Sequence, residues 1–386
     1  MTFSNRRLGL VLGINQTVSW GTTFYLPAVI ARPASDNLGT TGAALLGAFS
    51  CALLMTGFCA PRVGRWIDRR GGRGMLASSV LVMASGQLLL ACSADLASWY
   101  LAWAVLGIGM ALGLYDAAFA VAGTLLGRDA GPVITGITLL AGFASTVFWS
   151  LGAGLIGTVG WRGLLLCYAG VMLLVNLPLV WFLVPGGASP GQTARAQSGT
   201  DTPPQASRLA AACLGGFFTI RWFITSGIAV NILTLLHGLG LSETTSVVVA
   251  GLIGPGQVLG RIVEWSVAPR LGLLARARGG AMLFPIGALA LLSSGPWAAA
   301  AFALLYGMSN GILTINRGTL PLAIFGPRGY AVLLGWLAVP VLLAQAVAPT
   351  LVAPVIGHVP ALTLLLVAGG LAGLAGLLLL PLHVPG

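Results

Sequence analysis

The chain has 386 residues, 57% of them hydrophobic and 7% charged, with a mean hydropathy of +0.96. Soluble domains carry about 25% charged residues, so this composition excludes an ordinary soluble protein and predicts an all-α membrane protein. The net charge of +11 would suggest nucleic acid in a soluble domain, but arginines held on one side of a bilayer account for it, and no nucleic-acid partner is expected.

Apolar runs between charged or turn-rich breaks predict twelve spans, at 8–30, 40–61, 74–93, 97–118, 132–156, 163–184, 210–236, 244–263, 278–294, 297–318, 329–355 and 360–381. Each is close to the roughly 20 residues that a bilayer crossing needs. Pro27, Pro255, Pro285 and Pro340 lie within or near the ends of spans, where a bundle tolerates them. Arg6-Arg7 precede an apolar run too long for a cleavable leader, with no Ala-x-Ala after it, so none is expected. With the N-terminus inside, fifteen arginines from Arg6 to Arg328 fall on the cytoplasmic side, against Arg32 and Arg162 outside. Such an asymmetry survives only if the number of spans before each loop is right. The expectation is a multi-pass protein of the cell (inner or plasma) membrane, with both termini cytoplasmic and the lipid bilayer as its first partner.

Between the sixth and seventh spans, 185–209 is rich in Gly, Pro, Ser and Thr, has little to bury, and reads as a flexible cytoplasmic linker. It separates two predicted six-helix bundles, 1–184 and 210–386. The halves share short matches. Gly64-Arg65-Trp66-Ile67-Asp68 answers Gly260-Arg261-Ile262-Val263-Glu264, Gly109-Met110 followed by Gly113 answers Gly307-Met308 followed by Gly311, and Arg7-Leu8 answers Arg208-Leu209. Three matches at nearly one offset indicate an internal repeat. The five cysteines, Cys51, Cys59, Cys92, Cys167 and Cys213, have no metal-ligand or redox spacing, so neither a metal nor another cofactor is expected.

The stretch Gly57 to Leu76 gathers Arg62, Arg65, Arg69, Arg70 and Arg73 around Asp68. Gly64 leaves room for a neighbouring helix, and Asp68 can face either an arginine or the positive end of another helix. Gly64, Asp68, Arg69, Gly71 and, one residue late, Arg73 resemble the Gly-x-x-x-Asp-Arg-x-Gly-Arg loop signature of the major facilitator superfamily of transporters. The resemblance covers the whole chain. It implies two pseudo-symmetric six-helix bundles, monomeric action, and a conformational gate built from Gly64, Arg65, Asp68, Arg69, Gly71 and Arg73, with Gly260, Arg261 and Glu264 in the second half. The fifth span departs from the superfamily's antiporters, having Trp149-Ser150-Leu151-Gly152 and no Gly-Pro element. Locally, the GTVGWRG run and Tyr25-Leu26-Pro27 resemble the monocarboxylate-transporter-like branch.

Three charges fall inside spans: Asp116 in the fourth, Arg221 in the seventh and Arg317 in the tenth. Burying a charge at a helix centre costs about 2.5–3.5 kcal/mol on insertion scales, so such residues face a cavity or one another. By the resemblance, the first, fourth, seventh and tenth helices line the central cavity. Two guanidiniums suit an anionic substrate, and one acid permits proton coupling. Asn15, Gln16, Trp20, Tyr115, Thr225, Asn231, Asn310 and Asn316, on the same helices, are further cavity candidates. For Asp116 and Arg317, structural pairing stands as the alternative. The expected function is secondary transport, as symporter or antiporter, of a small organic solute of the carboxylate type, with protons as the coupling partner. Export of a toxic compound (drug or arsenite-like) and a non-transporting sensor remain alternatives. No enzyme is expected: His237, His358 and His383 lie near loops or the C-terminus, and a chain without lysine has no Gly-x-x-x-x-Gly-Lys nucleotide loop.

Overall fold

The computed structural model describes residues 3–186 and 205–384. Eight helical stretches among them are long and apolar enough to cross a membrane. One of these, Leu96–Leu183, has 88 residues and serves for three crossings at about 20 residues each. With Phe3–Thr22 and the shorter Ala361–Leu377 the stretches make up the twelve spans. Most of the predicted linker, 187–204, lies outside the described residues.

The first three spans are α1 (Phe3–Thr22) continued by α2 (Pro27–Leu38), then α3 (Gly42–Arg70) and α4 (Arg73–Ala91). Pro27 opens α2 because it lacks an N–H and ends the preceding helix. The first span therefore breaks inside its predicted range and runs on to Leu38, taking Arg32 into a helix rather than a loop. Asp95 caps α5 (Leu96–Gly113) in a capping box with Ser98, whose amide and hydroxyl hold the Asp95 carboxyl below its usual range. The helix stops at Leu114, which is extended at φ −78° and ψ −169°, and resumes as α6 (Tyr115–Leu126), eight residues beyond the predicted end at 118. α7 (Gly131–Ala141) is followed by α8 (Ala144–Val171), which is folded in two at Gly160. Gly160 has φ +68°, a conformation open to glycine, so α8 carries the fifth span into the sixth. A π-turn at Met172–Asn176 leads into α9 (Leu177–Leu183).

Beyond the linker come α10 (Gln205–Gly238), α11 (Glu243–Gly251), α12 (Ile253–Val267), α13 (Leu273–Ala290), α14 (Gly295–Phe325), α15 (Tyr330–Val352) and α16 (Ala361–Leu377). The eighth span is broken at Leu252, three residues before Pro255, between α11 and α12. By their contacts the residues form two units. The first is Met1–Asp201 with Gly326–Val339, and the second is Thr202–Phe325 with Pro340–Gly386.

Within the first unit α3 and α4 pack on α5, and α1 packs on α7 and α8. Within the second, α12 and α13 pack on α14, and α16 packs on α13 and α10. The two pairings α3–α5 and α12–α14 are the same joint in each half, and both rest on backbone approach at glycine. A Cβ on Gly107 would strike the Ala52 carbonyl, and one on Gly307 would strike the Ile253 carbonyl. The glycines matched by sequence are not all equivalent in packing: Gly109 and Gly113 face Met83 and Ser79 on α4, whereas Gly307 and Gly311 face α12. Outward faces remain apolar, with Trp297 86% and Leu174 79% exposed, as lipid contact requires.

Candidate substrate and gating sites

Arg221 sits on α10, fully buried against α13 and α14. Its Nη2 donates to Ser309 Oγ at 3.0 Å and to Asn310 Oδ1 at 3.5 Å. Its guanidinium carbon lies 4.9 Å from the Phe284 ring centre. Nε and Nη1 find no hydrogen-bond acceptor among the described residues, and no carboxylate there lies within ion-pair distance of Arg221. The polar shell is ordered by its own bonds. Thr225 Oγ1 donates to Asn310 Oδ1 at 3.1 Å, Tyr306 donates its hydroxyl to the Thr225 carbonyl at 3.0 Å, and Ser309 donates to the Gly280 carbonyl at 2.7 Å. Phe284, Phe302 and Tyr306 back the site as an aromatic cluster. The site is thus a buried guanidinium held by neutral partners, where an anion is attracted strongly and a cation repelled.

Arg317, half-buried on α14, places its guanidinium carbon 5.4 Å from the Trp222 ring on α10, so both arginines lie along the α10–α14 seam. Asn316 is fully buried on α14, and its amide nitrogen and oxygen find no hydrogen-bond partner among the described residues. An apolar groove of about 520 Å³ runs along α10, α15 and α16 past Thr219, Phe223, Ala344 and Leu371. Thr219, the one polar side chain lining it, donates its hydroxyl to the Gly215 carbonyl, so the groove is almost wholly apolar.

In the first unit, Asn15 and Gln16 are buried and committed to each other and to their surroundings. Asn15 Nδ2 donates to Asn176 Oδ1 at 3.1 Å, and Gln16 Nε2 donates to Asn15 Oδ1 at 3.0 Å and to the Gly113 carbonyl at 2.6 Å. The last bond satisfies a carbonyl left over by the helix break at Leu114. Trp20 donates to Gln16 Oε1 at 3.1 Å and lies 4.6 Å from Tyr115 between ring centres, forming a half-buried aromatic wall. Asn176 completes the network through Ser19; like Ser309, it does not stand out in the sequence. The only signal for Asn176 is a polar residue in an apolar run just before Pro178.

Asp116 lies in the first turn of α6. It borders a cavity of about 10 Å³, room for one water, lined also by Gly64, Ile67, Ala331 and Gly335. Tyr330, fully buried, stands at the start of α15. The same turn of α15 meets the signature segment. Val332 N donates to Asp68 Oδ2 at 3.4 Å, and a Cβ on Gly64 would strike the Ala331 carbonyl. Of its two expected partners, Asp68 therefore has the helix N-terminus. Gly71, at φ +80°, makes the turn into α4. Arg65 and Arg69 are exposed, and Arg73 stacks on Trp181 at 5.5 Å.

The second-half counterpart is built differently. Gly260 abuts the Met308 carbonyl on α14, Arg261 is buried, and Glu264 pairs with Arg276 Nη1 at 2.7 Å.

The family profile described as Major Facilitator Superfamily matches residues 8–349. No curated protein sequence matches. Among solved structures, the human organic anion transporter MFSD10 (TETRAN) is similar with a TM-score of 0.77 at 18% identity, over 97% of this chain and 99% of that one. The proton:xylose symporter XylE bound to 6-bromo-6-deoxy-D-glucose is similar with a TM-score of 0.71 at 15% identity, over 97% and 94%. At such identities the likeness is one of fold, and it agrees with the two repeated helix joints. Signature segment, paired joints and a family match over most of the length lead to one statement: the chain belongs to the major facilitator superfamily of membrane transporters.

Proposed function

We propose that the protein moves a small organic anion of the carboxylate type across the cell membrane by alternating access of its halves, 1–184 and 210–386, joined through 185–209. The observation that carries this reading is Arg221, a guanidinium buried at mid-span with no carboxylate beside it among the described residues. A buried charge is retained at such cost where it has work to do, and a fixed planar cation selects for anions. The printed description of one fold neighbour as an organic anion transporter is in keeping with it; XylE, a sugar carrier, warns that fold alone selects no solute. Arg317 on the same seam adds positive potential for an approaching anion. Asp116, an acid inside a span beside a one-water cavity, is the proton-coupling group in this reading. Both termini are cytoplasmic, and the transporter works as a monomer.

Purified protein in proteoliposomes under an imposed pH gradient tests the reading with labelled acetate, lactate and benzoate. Gradient-driven flux should fall about 100-fold in Arg221→Ala, since truncating one partner of a buried charge interaction costs about 2–5 kcal/mol. Arg221→Lys, which keeps the charge but not the fork, should raise KM with less effect on folding. Flux of neutral or cationic compounds alone would sink the anion reading. Gradient-driven flux that survives Asp116→Asn would remove the proton role.

A further inference from the structure

The Arg221 site has a feature that concerns which of its own residues must give way. A guanidinium offers a carboxylate two bidentate edges, Nε with Nη2 and Nη1 with Nη2, so Nη2 belongs to both. In this structure Nη2 is the nitrogen already engaged, by Ser309 at 3.0 Å and Asn310 at 3.5 Å, while Nε and Nη1 have no acceptor among the described residues. Bidentate capture on either edge therefore requires one of the two acceptors to release its hydrogen.

They are not equally able to do so. Ser309 is fully buried, its bond is the shorter, and its own hydroxyl proton is anchored on the Gly280 carbonyl. Asn310 is half-buried, and 3.5 Å is at the outer limit for a hydrogen bond. Once released from Arg221, Asn310 Oδ1 keeps its bond from Thr225 at 3.1 Å, so that oxygen is not left unsatisfied. We infer that Asn310 is the displaceable stand-in for the substrate carboxylate: the incoming anion takes its place on Arg221 Nη2, and Asn310 remains parked on Thr225. Asn310 thereby sets the affinity threshold for anions without itself touching the solute. The inference rests on the anion reading of the Arg221 site.

Carboxylate flux of full-length protein in proteoliposomes, with labelled acetate, lactate and benzoate as probes, separates the two. Asn310→Ala removes the competitor, so KM should fall about three-fold, the worth of one weak hydrogen bond, with the maximal rate kept. Asn310→Asp is isosteric and places a permanent carboxylate on Arg221, so flux should fall at least about ten-fold while the melting temperature holds or rises. Asn310→Ser repeats the first test should the alanine variant be poorly folded, and it should lower KM in the same direction. A KM that rises in Asn310→Ala or Asn310→Ser would make Asn310 a direct solute ligand and overturn the inference. An unchanged KM would overturn it equally. If Arg221→Lys raises KM in the same assay, the anion reading stands whatever Asn310 does. If no probe is carried, or Arg221→Lys leaves KM alone, that reading falls and takes the inference with it.

Discussion

Two segments of this protein carry the same short pattern, glycine, arginine and an acid four residues after the glycine, and use it in opposite ways. In Gly64–Asp68 the glycine lies under the backbone of Ala331 and the acid receives one long bond from Val332 N, at 3.4 Å. In Gly260–Glu264 the glycine lies under Met308, and the acid, 1% exposed, is closed into an ion pair with Arg276 at 2.7 Å. A carboxylate at a helix N-terminus gains about 0.3–1 kcal/mol, whereas removing one partner of a buried ion pair costs about 3–5 kcal/mol. We propose that the first contact is made and broken within a transport cycle, while the second holds its helices together. In this reading the same letters encode a latch in one half and a staple in the other.

The largest effect should come from the staple. Glu264→Ala leaves Arg276, 15% exposed, without its carboxylate at the edge of a packed joint, and stability should drop by about 3 kcal/mol. Thermal unfolding of the detergent-purified protein measures this, and a melting temperature equal to that of the native protein would erase the distinction between the segments. Next come the glycines. A Cβ at either position meets a backbone carbonyl rather than a movable side chain, so each alanine variant forces a shift that costs about 1–3 kcal/mol. Gly260→Ala should force that shift on the α12–α14 joint and lower the melting temperature. Gly64→Ala should force it on the α15 turn, slowing transport and lowering the melting temperature less than Gly260→Ala does. Similar profiles for the two variants would mean that both segments are staples.

This contrast also marks how far the sequence could be read. The twelve spans were legible because a bilayer demands long apolar helices and leaves their charges to mark sidedness. The breaks at Leu114 and Leu252 were not, since neither residue is a breaker by itself. The first is sustained by Gln16 from α1, an interaction with no local signature. Arg221 stands out because an arginine inside an apolar run has few reasons to be there. Its partners Ser309 and Asn310 do not stand out equally: Asn310 is one polar residue among several, and Ser309 looks like any small residue in a helix. Asp116 falls on a helix that the superfamily resemblance implies lines the central cavity. Its neighbours prove to be Gly64, Ala331 and Gly335, which come together only because α15 returns to the signature segment. Which of the two repeat partners is the latch lies beyond the pattern, since Gly-Arg-x-x-acid does not say what the acid will meet.

The smallest predicted effect tests the latch most directly. Asp68→Asn keeps an acceptor oxygen where Val332 N points and removes only the charge that complements the helix end. The folded protein should lose no more than about 0.3–1 kcal/mol, too little to move the melting temperature clearly. The amides at the start of α15 should nonetheless exchange faster with solvent, by about two- to five-fold, because local opening depends on the Asp68 carboxylate at that turn more than on global stability. In the other half, Glu264→Gln should do the reverse, lowering the melting temperature while leaving exchange at the start of α15 as it was. Faster exchange there in Glu264→Gln, or unchanged exchange in Asp68→Asn, would show that the charge at position 68 does not hold the α15 turn. The latch would then reduce to the backbone approach at Gly64.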